Sequence, residues 1–492
     1  MRRRQFIATS LALTASVAFR TPNAWAAPSD DLPILSRLGK PLLLTRAEVD
    51  EFRAALHGPL LLRGNEGYEQ ARRIWNGAFD RHPAAIVRCH DASDVRHAVQ
   101  FAASHDLLIA VRGGGHSLPG HSVCEGGLMI DLAPMRAVAV DPKTRVARVQ
   151  PGVLLGELDR STQAHGLIVP AGTVSHTGVA GLTLGGGFGR LSRALGLTVD
   201  ALQEADVVLA DGRAVRASAD ENADLFWALR GGGGNFGVVT AFAFRPHELA
   251  RPVIGGDLVY PFAKARQVLG ELAELSARAP DELWVDPVLE CDENGDRRLL
   301  VNLCHCGKPS QATKDVDALR RLHRPEVDTV GARPFATLQS AHDAQSPHGR
   351  AYYMGGGFVT SLSPALLDHA VAAIQEPGAE LGKISLTQHG GAIARVPVDA
   401  TAFANRGASH NIVVRAAWDD PSQAEARTAW QKKTWQGFVP FSRGAYANLN
   451  LPAAEAKVLG AYGANMPRLR ALKGRFDPKN LFHLNPNIPP PA

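Results

Sequence analysis

Glycine is concentrated in three clusters in the first half of the chain, at 113–115, 185–187 and 231–234. Each cluster lies beside apolar or strand-like sequence, so each predicts a loop whose backbone N–H groups can approach an anion without side-chain obstruction. A single loop of this kind is compatible with an ordinary turn. Three together predict a site for a large phosphate-containing cofactor rather than for a single phosphate ion.

The glycine clusters fit neither of two common nucleotide-binding folds. The stretch GLTLGGGFG at 181–189 is not followed by the Lys-Ser/Thr pair of a Walker A loop. It also follows an irregular glycine-rich passage instead of a clear strand-to-helix crossover, which argues against a Rossmann dinucleotide site.

The length of 492 residues exceeds what one hydrophobic core usually organises, so two domains are expected. Residues 1–26 contain four arginines and no acidic residue, and removing them from the formal charge of +5 leaves +1. A nearly neutral chain gives no electrostatic argument for nucleic acid as a partner.

The N-terminus has a basic start, an apolar stretch and a small-residue end at 24–26, which together predict a signal peptide over 1–26. Arg3-Arg4-Gln5-Phe6-Ile7 fits the twin-arginine pattern of bacterial export, and the alternative is an ordinary secretory signal interrupted by Arg20. Either predicts a periplasmic or secreted protein. No other apolar run is long enough to span a bilayer, so no membrane span is expected.

Five cysteines are present, and their odd number forbids complete internal pairing. The spacing of Cys304, His305 and Cys306 could indicate a metal site, but no second cysteine pair lies nearby. The alternative is a strand with small, inward-facing cysteines. We therefore predict no metal site.

The pattern of elements predicts an α+β protein. A helix is indicated over 91–106, and two alternating runs around Asp211-Gly212 predict a hairpin over 205–218. Glycine loops become fewer after residue 246, where helical and strand-like patterns alternate. The expected boundaries are 27–245 for the first domain, 246–449 for the second and 450–492 for a proline-ended tail lying across a surface.

The chain resembles the berberine-bridge-enzyme-like family of FAD-linked oxidases, in the vanillyl-alcohol oxidase/PCMH superfamily. The resemblance rests on five stretches: IWNGAFDRHPAAIVRC (74–89), VRGGGHS (111–117), PAGTVSHTGVAGLTLGGGFGRLSRALGLTVD (170–200), DLFWALRGGGGNFGVVT (224–240) and FDPKNLFHLNPNIPP (476–490). It implies a PCMH-type FAD-binding domain of two α/β subdomains over 27–245. The tail 450–492 would complete that domain, and the inserted α+β substrate domain, 246–449, would cover the flavin.

The resemblance also implies that His116 carries the flavin through its 8α-methyl group. Neutral imidazole is a competent nucleophile near pH 7. Without the resemblance, the favoured interpretation of His116 is a loop histidine that hydrogen-bonds phosphate or backbone. Some family members add a cysteinyl link, but Val174 stands at that position here, so one covalent link is expected. His176 is unexpected in this passage and faces the site or is structural; His121 is interpreted as an ordinary loop histidine.

The same resemblance assigns the remaining cofactor contacts. One set surrounds the pyrophosphate and the nearby ring, a second set approaches from the opposite side, and two further positions complete the site. These residues are Arg112, Gly113, Gly114, Gly115, Ser117, Gly120 and Ser122; Gly172, Thr173, Gly178, Gly181, Gly185 and Gly189; and Val239 and Asn485.

Catalysis is expected to involve Tyr446, because AYANLN resembles the family's Tyr-x-Asn-aromatic motif with Leu449 in place of the aromatic residue. In related enzymes a tyrosine there helps to deprotonate the substrate hydroxyl; the alternative is a core tyrosine. Asn448 would orient the flavin or that phenol. His389, in TQHGGAIARV, is a candidate pocket residue or belongs to a glycine-flanked turn.

The expected activity is therefore hydride removal from a small-molecule substrate such as an alcohol, sugar, alkaloid or polyketide, with O2 as acceptor and H2O2 as product. Two alternatives stay open: a dehydrogenase that uses another acceptor, and a non-catalytic flavin protein that sequesters a small molecule.

Overall fold

Three sheets of four or more strands organise the chain in the computed structural model, which describes residues 31–449 and 460–491. The predicted signal peptide lies outside the described residues, as do the first ten residues of the predicted tail. Helices and strands are interspersed along the chain, so the α+β prediction is confirmed. Within the described ranges, no helix is both long and apolar enough to cross a membrane.

The segment 32–248 contains the strands of the four-stranded and the five-stranded sheet. Its elements are β1 (Leu32–Leu35), β2 (Pro41–Leu44), α1 (Arg46–Ala54), β3 (Leu60–Leu62), α2 (Tyr68–Arg72), β4 (Ala85–Arg88), α3 (Ala92–Ser104), β5 (Ile109–Arg112), β6 (Leu128–Asp131), β7 (Val138–Asp141), β8 (Val146–Val149), α4 (Leu155–Gln163), β9 (Leu167–Ile168), α5 (Val179–Leu184), α6 (Ser192–Leu195), β10 (Leu202–Val208), β11 (Ala214–Ser218), α7 (Ala223–Leu229), β12 (Val238–Phe244) and β13 (His247–Glu248).

The four-stranded sheet has the order β3-β4-β6-β5, with β4, β6 and β5 parallel. Helix α3 packs its apolar face, including Val95 and Val99, into the core of this sheet. The Asp91 side chain accepts hydrogen bonds from the backbone N–H groups of Ser93 and Asp94, which caps the first turn. The helix predicted from capping and periodicity is thereby confirmed.

The five-stranded sheet is antiparallel, in the order β11-β10-β12-β8-β7. Its β10–β11 pair is the predicted hairpin, with Val208 opposite Ala214 and Gly212 in the left-handed region at the turn. A core of apolar side chains lies between this sheet, helices α4, α5 and α7, and the C-terminal helix.

The remaining strands form an antiparallel eight-stranded sheet in which the order is β17-β14-β16-β15-β20-β21-β19 and β18 also pairs with β14. Its core packs against helices from the same part of the chain. The elements are β14 (Val253–Pro261), α8 (Ala265–Arg278), β15 (Leu283–Cys291), β16 (Arg297–His305), α9 (Pro309–Arg320), β17 (Val327–Asp328), β18 (Gly331–Arg333), α10 (Phe335–Gln339), β19 (Ala351–Val359), α11 (Pro364–Ala373), β20 (Lys383–Gln388), α12 (Ala392–Arg395), β21 (His410–Trp418) and α13 (Ala424–Phe438).

The C-terminal segment returns to the first part of the chain through helix α14 (Met466–Phe476). Lys473 is fully buried there, and its ammonium donates to Asp477 and to the backbone carbonyls of Asn235 and Phe482. Removing one member of such a buried pair leaves an uncompensated charge, so this contact fixes the tail against the third glycine cluster. The domain boundaries at 245/246 and 449/450 stay a prediction.

All five cysteines are free thiols. Cys304 is buried within β16, as the strand interpretation predicts, whereas Cys306 follows the strand and is partly exposed.

Candidate functional site

A cleft of about 510 Å³ lies where the glycine loops, the eight-stranded sheet and the C-terminal segment meet. Its wall includes the loop after β5, the loop before α5 and the third glycine cluster. Strands β15, β16, β20 and β21 supply another wall, and residues 446–449 and 482–486 complete the lining.

Two glycine loops cross at the base of the cleft. A Cβ atom on Gly114 would overlap the Cα atom of Gly178, and one on Gly178 would overlap the backbone nitrogen of Gly114. No larger residue fits at either position without displacing the other loop. The crossing places Gly115 and His116 beside the N-terminus of α5, on one wall of the cleft.

His116 lines the cleft, and its ring stacks on the indole of Trp75 with centroids 4.2 Å apart. Its Nε2 atom is buried and has no hydrogen-bond partner in the described part of the chain. Burial, with a smaller contribution from His176 and His348, lowers the pKa of His116 to about 3. The imidazole is therefore neutral at physiological pH and keeps a nitrogen lone pair available for bonding.

Two further histidines extend from His116. The ring of His176 lies 5.1 Å from that of His116 and 4.8 Å from that of His348, measured between centroids. His176 is outside the cleft lining, whereas His121 lies on it. Val174 also lines the cleft, and the lining among described residues includes no cysteine.

Most of the predicted cofactor contacts lie on the cleft wall. These residues are His116, Gly113, Gly114, Gly115, Ser117, Ser122, Gly172, Thr173, Gly178, Gly181, Val239 and Asn485. Asn485 is oriented by hydrogen bonds from its Nδ2 atom to the carbonyls of Gly234 and Phe482.

Four predicted contacts lie behind the wall instead. The Arg112 guanidinium donates to the Ala71 carbonyl and lies 3.8 Å from Asp131, so it supports the loop from beneath. A Cβ atom at Gly120 would overlap the Phe79 ring, at Gly185 the Asn448 amide, and at Gly189 the Ala171 carbonyl. These three glycines permit close packing rather than contact with a ligand.

The cleft fits a long cofactor with several hydrogen-bonding groups. Six lining residues carry buried polar atoms without a partner among the described residues: His116 Nε2, Ser122 Oγ and Asn485 Oδ1 on the glycine-loop and tail side, and Arg190 Nε, Asn411 Oδ1 and Arg415 Nε elsewhere on the wall. Unpaired buried polar atoms are costly, so such a set indicates a ligand that supplies the missing partners. Gly181 and Gly234 also line the cleft, and a Cβ atom at either would meet no protein atom within 4 Å.

Tyr446 is buried, lines the cleft, and has its hydroxyl held by two donors. Its Oη atom accepts from Asn448 Nδ2 at 2.9 Å and from the Gly187 backbone N–H at 3.2 Å. Burial raises the pKa of Tyr446 to about 12, although both hydrogen bonds oppose the rise. Both contacts use Oη as the acceptor, so the phenol's own proton is engaged in neither of them.

His389 does not lie on the cleft wall. It is buried, and its ring meets Phe188 edge-on with centroids 4.4 Å apart. Neither ring nitrogen has a hydrogen-bond partner within residues 31–449 and 460–491. Burial lowers the pKa of His389 to about 3. Phe188 lines the cleft, so His389 reaches the site only through that side chain.

Several residues on the cleft wall are absent from the sequence-based prediction. They are Trp75 and Arg190, together with the sheet residues Asp286, Asn302, Lys383, Thr387, Asn411 and Arg415. The sheet residues occupy alternate positions on their strands, which is a signal that sequence can give. Their meeting on one wall depends on strand order and register, which alternation alone does not specify.

Residues 83–218 match the family model described as an FAD binding domain, and residues 445–489 match the model described as berberine and berberine like. An FAD-linked oxidoreductase from Dictyostelium discoideum is 32% identical over 449 residues, which are 90% of this chain and 97% of the relative.

Two solved structures have the same fold. A 6-hydroxy-D-nicotine oxidase from Arthrobacter nicotinovorans aligns with a TM-score of 0.80 and 26% identity, covering 88% of this chain and 98% of its own. The xylooligosaccharide oxidase from Myceliophthora thermophila C1, solved with xylobiose, aligns with a TM-score of 0.81 and 26% identity. The alignment covers 90% of this chain and 100% of the oxidase.

The fold and the cleft define a PCMH-type flavoprotein, an enzyme that performs oxidation and reduction with FAD. Within that class, the chain belongs to the berberine-bridge-enzyme-like family of FAD-linked oxidoreductases. The family resemblance, the PCMH-type fold and the FAD cofactor expected from sequence are confirmed.

Filling the open space at Gly181 tests the cofactor position. We expect Gly181→Leu to lose most of its FAD, because the side chain would enter the cleft from a position where its Cβ atom meets no described atom within 4 Å. The unfolding free energy of apoprotein should change by no more than about 1 kcal/mol, since glycine is a poor helix former. Flavin absorbance per protein and chemical denaturation measure the two quantities.

The matched control is Gly270→Leu, a substitution in α8 away from the cleft. It should retain the flavin content of the wild type. Full FAD occupancy in Gly181→Leu would contradict the placement.

Proposed function

We propose that this protein is an exported oxidase that holds one FAD through His116. It oxidises a small organic substrate in the cleft, with O2 as electron acceptor and H2O2 as product. The observation that carries the proposal is the presence of a neutral His116 and a hydrogen-bonded Tyr446 on the wall of one cleft.

The cofactor-binding part of the proposal assigns the glycine loops, Ser117, Ser122 and Asn485 to FAD. His116 would bond to the flavin 8α-methyl carbon, and its stacking on Trp75 would hold the ring in one orientation. The buried Nε2 atom of His116, which has no partner among the described residues, would be the nitrogen that holds the flavin. The absence of cysteine from the described lining supports a single covalent link.

When bound, FAD supplies a two-electron acceptor for a hydride from the substrate. The proposed role of Tyr446 is to accept the proton that the substrate hydroxyl or amine releases in that step. Asn448 and the Gly187 N–H would stabilise negative charge on the phenolic oxygen through the hydrogen bonds that they already donate. His389 is assigned a supporting role behind Phe188, without contact with the substrate.

Export is proposed from residues 1–26, in which the twin-arginine pattern would direct a protein that is already folded. A covalent link suits that route, because FAD could be attached before transport and could not readily be replaced afterwards. The mature protein would act in the periplasm or outside the cell.

Substitution of the phenol tests the proton acceptor. The rate constant of flavin reduction should fall by roughly 10²–10⁴ in Tyr446→Phe, the range for loss of general-base catalysis. Because the pKa of Tyr446 is raised to about 12, the fraction of phenolate increases with pH over the whole pH range in which the enzyme can be assayed. The wild-type rate should therefore increase by roughly tenfold per pH unit below that value.

Anaerobic stopped-flow absorbance at a series of pH values measures this rate, with a substrate selected by screening for H2O2 release. In Tyr446→Phe the residual rate should be independent of pH. An unchanged pH profile in that variant would assign proton transfer to another group.

The electron acceptor is tested by mixing the holoenzyme with substrates in the absence of oxygen. Bleaching of the flavin that is reversed by air, with one H2O2 formed per substrate oxidised, is the expected result. Recovery only after addition of a quinone or dye would replace the oxidase proposal by a dehydrogenase. If no substrate bleaches the flavin, the protein is a non-catalytic flavin protein that binds a small molecule.

A further inference from the structure

The sheet that forms one wall of the cleft carries three rows of side chains, each crossing strands β21, β20, β15 and β16; Glu290 and Arg298 of the third row lie outside the cleft lining. The strand register defines them. The polar row contains Asn411, Thr387, Asp286 and Asn302; the apolar row contains Val413, Ser385, Val288 and Leu300; and the charged row contains Arg415, Lys383, Glu290 and Arg298. The side chains therefore change from polar to apolar to charged along each strand, whereas neighbours on adjacent strands are of similar type.

The polar row lies at the Tyr446 end of the cleft. Asn411 is the register partner of Phe358, whose ring centroid is 6.3 Å from that of Tyr446. Within the row, Thr387 donates a hydrogen bond to Asp286 at 2.9 Å.

The charged row lies at the His116 end. The Arg415 guanidinium sits 5.8 Å above the Tyr352 ring, which stacks on Trp75 at 4.0 Å, and Trp75 stacks on His116. Arg415 is four residues beyond Asn411 on β21, and a strand rises by about 3.3 Å per residue. The two ends of the wall are thus separated by roughly 13 Å along the strand.

Positive charge in the charged row is only partly neutralised. Glu290 serves two cations, because it pairs with Lys383 at 2.6 Å and also with Arg298. Arg415 makes no ion pair within residues 31–449 and 460–491. Its hydrogen bonds there come from Nη1 alone, to the Gln345 carbonyl and Ser346 Oγ.

Arg415 keeps one donor group available on the cleft wall. Nη1 is already engaged and Nε is buried, so Nη2, which bonds to no described residue, is left to donate to an anion in the cleft. Burial lowers the pKa of the Arg415 guanidinium. An anionic ligand would offset the cost of that burial.

The opposite end of the wall disfavours an anion. Burial raises the pKa of Asp286 to about 6, with Thr387 and Arg190 opposing the rise, so this carboxyl is mostly ionised at neutral pH. A ligand carboxylate placed there would meet like charge. Arg190 also lines the cleft at that end, but its Nη1 and Nη2 atoms already bond to the Thr173 carbonyl, Gln339 and His342. The two ends therefore favour one orientation of an anionic molecule.

We propose that the substrate is an elongated organic carboxylate that binds with its carboxylate on Arg415 and Lys383 and its oxidised carbon beside Tyr446. Its middle section lies against the apolar row, whose members include Val288 and Val413. The inference rests on the proposed function, because it takes the Tyr446 end as the place of oxidation.

The test uses 4-phenylbutanoate and 4-phenylbutanamide, which have nearly the same shape and differ in charge. Calorimetric titration of each into holoenzyme measures binding without requiring turnover. Wild type should bind the carboxylate at least roughly tenfold more tightly than the amide, since a charge-assisted hydrogen bond is lost in the amide. Arg415→Gln should abolish that preference, and Arg415→Lys should restore part of it.

Arg266→Gln is the matched control, because Arg266 is an exposed arginine of α8 that pairs with Asp368 away from the cleft. It should leave both affinities unchanged. Thermal denaturation of each variant establishes that altered binding does not reflect unfolding. Equal wild-type affinities, no binding of 4-phenylbutanoate, or an undiminished preference in Arg415→Gln would each overturn the proposal.

Failure of this inference is distinguishable from failure of the proposed function. Oxidation of neutral substrates by an enzyme without charge preference would refute the substrate class and leave the oxidase proposal intact. An Arg415-dependent preference in a protein whose flavin no substrate bleaches would support the carboxylate site and refute the proposed oxidase.

Discussion

The crossing of two backbone segments at Gly114 and Gly178 is the constraint on which the site depends. Because neither residue can carry a Cβ atom without overlapping the other segment, the loop after β5 and the loop before α5 share one position in space. His116 and Gly181 lie a few residues beyond this crossing, on the same cleft wall. The two glycines thus allow the loops to touch, and this contact determines where His116 and Gly181 lie on the cleft wall.

A second set of contacts joins the glycine loops to the eight-stranded sheet. The rings of His116, Trp75 and Tyr352 form a continuous stack, and the Trp75 indole also donates to the Ser346 carbonyl at 2.9 Å. Aromatic stacking and a buried hydrogen bond both favour one relative placement of these elements. In the proposed enzyme, the stack would relate the position of the flavin attachment to the position of the substrate carboxylate.

Most of the predicted cofactor contacts lie on the cleft wall, because the family resemblance that assigned them rests on local sequence signals: consecutive glycines, a histidine and a tyrosine-asparagine motif. Arg112 and Gly185 show the limit of such signals, since a residue adjacent to a binding loop can support it from behind. His389 shows the same limit, because it contacts Phe188, which lines the cleft, and does not line the cleft itself. The sheet wall could not be assembled from sequence because Arg415 and Lys383 become neighbours only through strand register.

The central claim is that His116 is the single covalent anchor of the flavin. Acid precipitation followed by mass analysis of the peptide containing residue 116 tests it most directly. Wild type and His121→Ala, whose substituted histidine also lines the cleft, should give yellow pellets with FAD attached at His116. His116→Ala should give a colourless pellet, and an equally yellow His116→Ala pellet would contradict the account.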